Sequence, residues 1–293
     1  MTKKKIMVIG DIFVDRYVWV DSHRMCEEDP TVPIYDVVKV EDRPGGAANV
    51  AANLGSIVSD GADVHLFGII GRELEDVFGG GSAKLESPRC SETLYKTRYV
   101  DKQGQMFSRV DSTKVFSFSS RCFFEDTFDL DRLVDYDAFV ISDYDKGTVS
   151  EALASVIIGT GKLVVVDSKR KDLRCFEGAT VLKVNQLEAS VQESRFRVYG
   201  RAFEAMFKMC VVTKGAAGAQ IRYARDLAHD KYEIVKQDIS APAAQVVDVT
   251  GCGDTHTAAM AWALLENREP HEAVAFANAC AAKVVSMFGT SIF

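Results

Sequence analysis

The sequence predicts a doubly wound α/β fold, mostly parallel in its sheet, with a small β lid. Three observations lead there. Short apolar runs recur along the chain and read as buried parallel strands. Helical patterns lie between or after them, and strands alternating with helices imply a sheet covered on both faces. Two further pairs of extended segments, rich in β-branched and aromatic residues, break the alternation. With 293 residues and 47% hydrophobic content, the chain has enough apolar side chains for one large domain spanning residues 1–293.

Strands are expected at residues 6–9, 64–70, 138–141, 163–166, 180–184 and 210–213. Helices are expected at 47–54, 149–158, 201–208, 255–265 and 271–287, the last following Pro270, a good first-turn residue. The lid is built from about 12–43 and 92–113. Within it, 17–20 goes with 34–40 and 94–100 with 105–110, the second pair joined by the turn Asp101-Lys102-Gln103-Gly104. Such a lid exposes one apolar face, so it closes over a ligand or pairs with another subunit; a homodimer through the lid is expected.

Composition narrows the function classes. Thirty-five basic against 42 acidic residues leave a net charge of −7, which argues against nucleic acid as a partner. The dense basic run Lys3-Lys4-Lys5 reads as a solvated terminus. Seven scattered cysteines without a C-x-x-C spacing suit reduced thiols and a cytoplasmic protein. No apolar run reaches membrane-spanning length, and no long apolar region follows the N-terminal lysines, so neither a membrane span nor a signal peptide is expected.

Five short constellations and one longer one carry candidate chemistry. Gly10-Asp11 ends the first strand with Asp15 four residues on; carboxylates there accept hydrogen bonds from sugar hydroxyls, or serve a turn. Arg43-Pro44-Gly45-Gly46-Ala47-Ala48-Asn49 opens a small-residue helix, suited to close approach of a polyol or to tight helix–sheet packing. Ser142-Asp143-Tyr144-Asp145-Lys146-Gly147 follows a strand and reads as a hydroxyl and phosphate holder or as a solvated loop. Asn185 and Glu188 share a helix face, as water-ordering groups around magnesium or as a helix cap. Thr213-Lys214-Gly215-Ala216-Ala217-Gly218 makes a strand-to-strand turn that a nucleotide can approach, or an ordinary glycine turn. The longer stretch, Asp248-Val249-Thr250-Gly251-Cys252-Gly253-Asp254, runs straight into an apolar helix. Free N–H groups and the positive dipole end make an anion site there, and Asp254 is either its N-terminal cap or a general base beside it. The second reading suits moving a phosphoryl group onto an alcohol. No P-loop and no dinucleotide fingerprint is present.

The order of these motifs resembles the ribokinase-like, or PfkB, carbohydrate kinase family, over nearly the whole chain. Val8-Ile9-Gly10-Asp11, Asp15-Arg16-Tyr17, residues 43–51, Ser142-Asp143-Tyr144-x-Lys146-Gly147 and Phe288-Gly289-Thr290-Ser291 look in particular like the kinase domain of D-glycero-β-D-manno-heptose-7-phosphate kinases. Those enzymes use ATP and Mg²⁺ to phosphorylate the anomeric hydroxyl of a sugar phosphate. A nucleotidyltransferase domain follows in bifunctional forms and is not expected before Phe293.

The resemblance implies the roles. Asp254 is the base, and the N–H groups of Gly251, Cys252 and Gly253 form the anion hole. Asp11, Asp15, Gly45, Gly46 and Asn49 hold the sugar. Arg98, Arg109 and Lys146, with Asp143, are candidates for the substrate's existing phosphate and hydroxyls. Asn185 and Glu188 lie near Mg²⁺, indirectly, and Thr213, Gly215, Gly218 and Asn278 line the ATP site. Asp248 and Thr250 match positions that bind a monovalent cation such as K⁺ in some members. The chain departs from the pattern at Cys252, where a thiol predicts sensitivity to oxidation, at His256, at Asp167-Ser168-Lys169, and in shortened segments at 71–89 and 189–207. These departures keep two alternatives open: a kinase for ribose, fructose or a nucleoside, and a sugar- or nucleotide-binding relative without turnover.

Overall fold

The computed structural model describes residues 3–71, 83–85, 89–90, 93–113, 130–197, 202–227 and 231–293. Its fifteen strands are β1 (Lys4–Gly10), β2 (Ile12–Met25), β3 (Pro33–Gly46), β4 (Ala62–Phe67), β5 (Ile70–Gly71), β6 (Ala83–Leu85), β7 (Arg89–Cys90), β8 (Tyr95–Val100), β9 (Met106–Asp111), β10 (Ala138–Asp143), β11 (Leu163–Ser168), β12 (Val181–Asn185), β13 (Met209–Thr213), β14 (Ala219–Leu227) and β15 (Lys231–Ile239). Among the described residues the α-helices are α1 (Ala47–Val58), α2 (Glu151–Gly159), α3 (Gln186–Arg197), α4 (Cys252–Leu265) and α5 (Pro270–Val284).

A nine-stranded sheet runs β15-β14-β13-β12-β11-β10-β1-β4-β6. It is parallel from β6 to β13 and antiparallel at the β13–β14–β15 edge. Alternate side chains of β1 serve two cores. Ile6 and Val8 pack with α1, α4 and α5, whereas Met7 and Ile9 pack with α2 and α3. β1 sits between β4 and β10, so the chain winds outward in both directions from it. A crevice opens at the carboxyl ends of strands where the winding reverses, and that is where open α/β sheets bind ligands.

The second sheet has the order β3-β2-β8-β9. β2 pairs antiparallel with β3 and parallel with β8, and β8 with β9 forms the expected hairpin, closed by Gly104 N–H donating to Asp101 O at 3.0 Å. Gly104 has φ 83°, a left-handed conformation that favours glycine at this turn. Val37, Val38, Val40, Met106, Phe107 and Val110 of this sheet are exposed.

Local chemistry explains the helix boundaries. Ser150 caps α2 by accepting Leu153 N–H at 3.1 Å, so the helix starts at Glu151, not at 149. Pro270 occupies the first turn of α5, with a capping box between Glu269 and Glu272. Two sequence expectations need correction. Residues 201–208 do not form an α-helix: within the described part there is a single 3₁₀ turn at Phe203–Met206, after which Phe207 is extended and leads into β13. Phe203, Met206 and Phe207 have helical spacing but are buried by packing under the sheet. The run 64–70 is two strands, because the chain breaks at Gly68-Ile69. The suggested shortening at 71–89 lies mostly outside the described residues, as do 198–201 of the second shortened stretch. Among the described residues, no helix is long and apolar enough to cross a membrane.

Candidate active site

The site is centred on the start of α4. Gly251, at the helix N-cap, has φ 80°, and a Cβ there would sit 2.8 Å from Asn49 Nδ2, so glycine lets α4 close onto α1. The first-turn N–H groups of a helix have no partner inside it. Asp254 stands in that turn and is buried. Its Oδ2 accepts from Asn49 Nδ2 at 2.8 Å, and its Oδ1 accepts from Tyr144 Oη at 3.1 Å. Burial raises its pKa above the ordinary carboxylate value, while the Asn49 amide pulls it back. A buried carboxylate poised in this way, beside an anion site, can take a proton from an alcohol.

Asn49 is held in turn. Asn53 Nδ2 donates to Asn49 Oδ1 at 3.0 Å, and Thr255 Oγ1 donates to Asn53 Oδ1 at 3.0 Å. This chain of amides and hydroxyl fixes the carboxylate's orientation. Lys183, on β12, lies on the other side of the turn, where a Cβ on Gly253 would be 3.1 Å from its Nζ. Lys183 Nζ donates to Asp167 Oδ2 at 2.5 Å, and Lys169 bridges Asp167 Oδ1 and Glu188 Oε1 at 2.9 Å each. Burial alone would raise the Asp167 carboxyl, but Lys169 and Lys183 overcome it and hold it well below the usual range.

Beyond the turn lies a cavity of about 560 Å³. Its walls include Thr213, Gly215, Gly218 and Asn278 together with Cys252 and Gly253; most of the remainder is alanine, valine and proline. Such a cavity, apolar with a few convergent polar groups, suits a small-molecule ligand. His256 is also in the wall. Asn278 spends its amide N–H groups on Ile239 O and Ser240 O at 3.0 and 3.2 Å, so its Oδ1 faces His256 Nε2 at 3.2 Å and accepts its proton. Burial, reinforced by Lys183, pushes the imidazole pKa down to about 3 and keeps it neutral.

A sequence profile described as pfkB family carbohydrate kinase matches residues 3–293. The chain belongs to this family. It is 33% identical over 310 residues to the bifunctional protein HldE of Coxiella burnetii (strain RSA 493 / Nine Mile phase I), covering 99% of this chain and 62% of that protein. It is 32% identical over 315 residues to the bifunctional protein HldE of Helicobacter acinonychis (strain Sheeba), covering 99% and 64%. The chain thus spans less than two thirds of the length of these relatives. Among solved structures, phosphofructokinase-2 from Escherichia coli in complex with potassium has the same fold, with TM-score 0.74 and 16% identity over 100% of this chain and 95% of that one. Arabidopsis thaliana ribokinase complexed with ribose and ATP superposes with TM-score 0.68 and 19% identity over 99% and 94%.

Within this pfkB-family chain, the residues expected to form the site fall into three groups. Gly251, Cys252, Gly253 and Asp254 share one helix turn, with Asn49 beside them; four of the expected nucleotide residues line one cavity. The second group is near the turn but already engaged. Asp15 pairs with Arg98 across the second sheet, and burial still raises its carboxyl. Asp11 is fully buried and accepts three backbone N–H groups, from Tyr144, Lys146 and Thr148, at 2.7, 3.0 and 3.1 Å. It shapes the 144–148 loop, with Oδ2 accepting two of these N–H groups and Oδ1 one. Gly45 and Gly46 let β3 cross Phe13: a Cβ on either would lie 2.5 Å from its ring.

The third group is engaged by other protein partners. Asp143 holds Ser168 Oγ at 2.7 Å and Arg170 Nε at 2.6 Å. Arg109 is exposed and pairs with Asp111 at 2.9 Å, and Lys146 Nζ reaches Ser112 O at 3.5 Å. Asn185 and Glu188 cap α3 reciprocally, at 2.8 and 2.9 Å. Asp248 Oδ1 accepts from Thr250 N and Oγ1 at 2.8 and 2.7 Å, and its Oδ2 from Gly289 N at 3.0 Å. Burial raises the Cys252 thiol, which weakens the chemical basis for sensitivity to oxidation.

Sequence reasoning missed Lys96, Lys183 and Tyr144 as site residues. Lys96 is two residues before Arg98 on β8, and the two-residue period of a strand puts both on one face. A lysine inside the apolar strand β12 was a similar signal, since lysine is seldom buried without a purpose. Lys96 Nζ lies 3.6 Å from the centroid of Phe13 and 4.1 Å from that of Tyr144. Among the described residues no carboxylate is paired with it, and burial pushes its pKa down to about 8.

Proposed function

We propose that this chain transfers the γ-phosphoryl group of ATP to a hydroxyl of a sugar or sugar phosphate, with heptose 7-phosphate and its anomeric hydroxyl as the best single choice. The observation that carries this reading is Asp254, buried in the first turn of α4 with a raised pKa, between the cavity and Tyr144. Asp254 takes the proton as the acceptor oxygen attacks. The N–H groups of Gly251, Cys252 and Gly253, with Lys183 alongside, face the charge gathering on the transferred group. The nucleotide lies in the cavity between Thr213, Gly218 and Asn278.

Magnesium bound with ATP supplies charge neutralisation at the phosphates. Asn185 and Glu188 fit it only through ordered water, because the helix cap and Lys169 take up their oxygens. A potassium ion at Asp248 and Thr250 would displace the Thr250 and Gly289 N–H donors from the Asp248 carboxylate. On the acceptor side, Lys96 and Lys146 are the cations for an existing phosphate, because Arg98 and Arg109 are already paired with carboxylates. The second sheet is the lid, and its exposed valines and Phe107 pair with a second copy in a homodimer. Light scattering at micromolar concentration should then give twice the chain mass; a monomer would count against the dimer.

ADP release measured across sugars and sugar phosphates tests the function. Turnover on at least one acceptor is expected, with near-complete loss in Asp254→Asn and ATP binding retained. Binding of ATP without turnover on any acceptor would favour a non-catalytic relative instead. Equal turnover on ribose or fructose would remove the assignment of an acceptor phosphate to Lys96.

A further inference from the structure

We infer that Tyr144 is a positioning residue whose hydroxyl holds the acceptor's place on Asp254 and keeps water from being activated there until an acceptor displaces it. The inference rests on the reading of Asp254 as the base. Asp254 has two carboxylate oxygens, and the Asn49 amide occupies Oδ2. On Oδ1 the donor is the Tyr144 hydroxyl, at 3.1 Å. A base that takes a proton from an alcohol needs that hydroxyl within about 2.6–3.2 Å. The phenol presents the same group, in the same donating sense, at that distance. Burial and the nearby Asp254 and Asp167 carboxylates push its pKa well above the ordinary value, so it keeps its proton and remains a donor.

The ring is held from several sides. Tyr144 N–H donates to Asp11 Oδ2 at 2.7 Å. Its ring meets Phe13 edge-on, with centroids 4.9 Å apart at 87°, and Lys96 Nζ sits 4.1 Å from its centroid. Phe13 belongs to β2 and Lys96 to β8. The second sheet therefore grips the ring while the hydroxyl reaches the base on α4.

Water is the competing nucleophile for any enzyme of this chemistry. If a water took the phenol's place, its oxygen would bond to the γ-phosphorus and the bond from that phosphorus to the β–γ bridging oxygen would break. Asp254 would take the proton, and the products would be ADP and inorganic phosphate. With Tyr144 on Oδ1, that water must compete with the phenol for the base.

Tyr144→Phe tests this, because it removes the hydroxyl and keeps the ring between Phe13 and Lys96. With Mg-ATP and no acceptor, ADP release should rise about tenfold over the unaltered protein, the scale of one hydrogen bond to a charged group. The double variant Tyr144→Phe/Asp254→Asn should return it to background. In the presence of acceptor, KM should fall while kcat holds. The acid limb of kcat/KM should move to higher pH, because a donor that stabilises the carboxylate is gone; Asp167, Lys183, Asp15 and Lys96, which also face Asp254, are unchanged. Unchanged ADP release without acceptor would overturn the inference, and so would a raised acceptor KM. If the unaltered protein phosphorylates no sugar and Tyr144→Phe still gains an Asp254-dependent release of ADP, the substrate reading fails and this inference stands.

Discussion

The face of α4 turned toward the second sheet and the face turned toward the cavity differ in what holds them. Toward the second sheet, side chains are engaged before any ligand arrives: Asp15 with Arg98, Asp11 with three peptide N–H groups, Asp254 with Asn49 and Tyr144. Toward the cavity, the walls are alanine, glycine, valine and proline, with few polar side chains. A site of buried, paired polar groups discriminates through the cost of leaving one of them unpaired. A site of small residues discriminates through shape. The first face is therefore expected to choose the acceptor by its chemistry and the second to accept the nucleotide by its fit, with Asp254 and the adjoining glycines where the two meet.

The comparison breaks most completely at that junction. Asp254→Asn keeps the shape and the Asn49 neighbour but removes the proposed base. Loss of general-base catalysis is worth roughly 10²–10⁴-fold, so kcat should fall by that factor. ATP affinity, measured by calorimetry, should change less than threefold, since the cavity face is untouched. A parallel loss of ATP binding would show that the two faces are not separable.

Gly218→Ala probes the cavity face alone. Gly218 has φ 89°, and a Cβ would lie 2.6 Å from Ala241 N and closer still to Ile239 O. Both the conformation and the backbone contact are unfavourable, together costing about 1–3 kcal/mol. The turn must shift into or away from the cavity, so the KM for ATP should rise about tenfold while the KM for the acceptor stays put. Equal changes in both would contradict a cavity that reads shape independently.

The difference between the faces also explains what could be read from sequence. The alternation of apolar runs and helical patterns marks the main sheet, because strands covered on both faces must be apolar throughout. Gly251, Gly215 and Gly218 stand out because left-handed backbone, joined at Gly251 and Gly218 by close approach, leaves few other residue types possible. On the other face the residue types were visible but their pairings were not. Asp11, Asp15 and Asp143 look alike as carboxylates at or near strand ends, yet one shapes a loop, one pairs with an arginine of β8, and one anchors Arg170. Only long-range contacts separate these fates. Helix α3 is marked in the sequence only at its start, by Asn185 and Glu188, because QLEASVQESRFR carries too few apolar residues to mark a buried face. β14 and β15 lie at the antiparallel edge of the sheet, where charged residues such as Arg225 and Glu233 interrupt the apolar pattern.

Lys96→Met sharpens the claim that the acceptor face reads chemistry. Methionine fills similar space between Phe13 and Tyr144 and suits aromatic neighbours, so the substitution removes charge with little change in packing. The KM for a phosphorylated acceptor should rise about tenfold, the loss of one charge-assisted contact, while a neutral sugar should be unaffected. Burial lowers the Lys96 pKa from 10.5 to about 8, against the attraction of Asp15, Asp254 and Asp111 and in the same direction as Arg98. In the unaltered protein, kcat/KM for the anionic acceptor should therefore decline above about pH 8, as the ammonium loses its proton, and Lys96→Met should lack that decline. Stability runs the other way. Below about pH 8 both folded and unfolded chains carry the proton, and the folded state bears the cost of burying it. Between about 8 and 10.5 only the unfolded chain binds it, so this residue's contribution to stability rises with pH across that window. Lys96→Met should accordingly melt no lower than the unaltered protein at pH 7. A lower melting temperature there would show that the ammonium, unlike the rest of this face, is held favourably without its ligand.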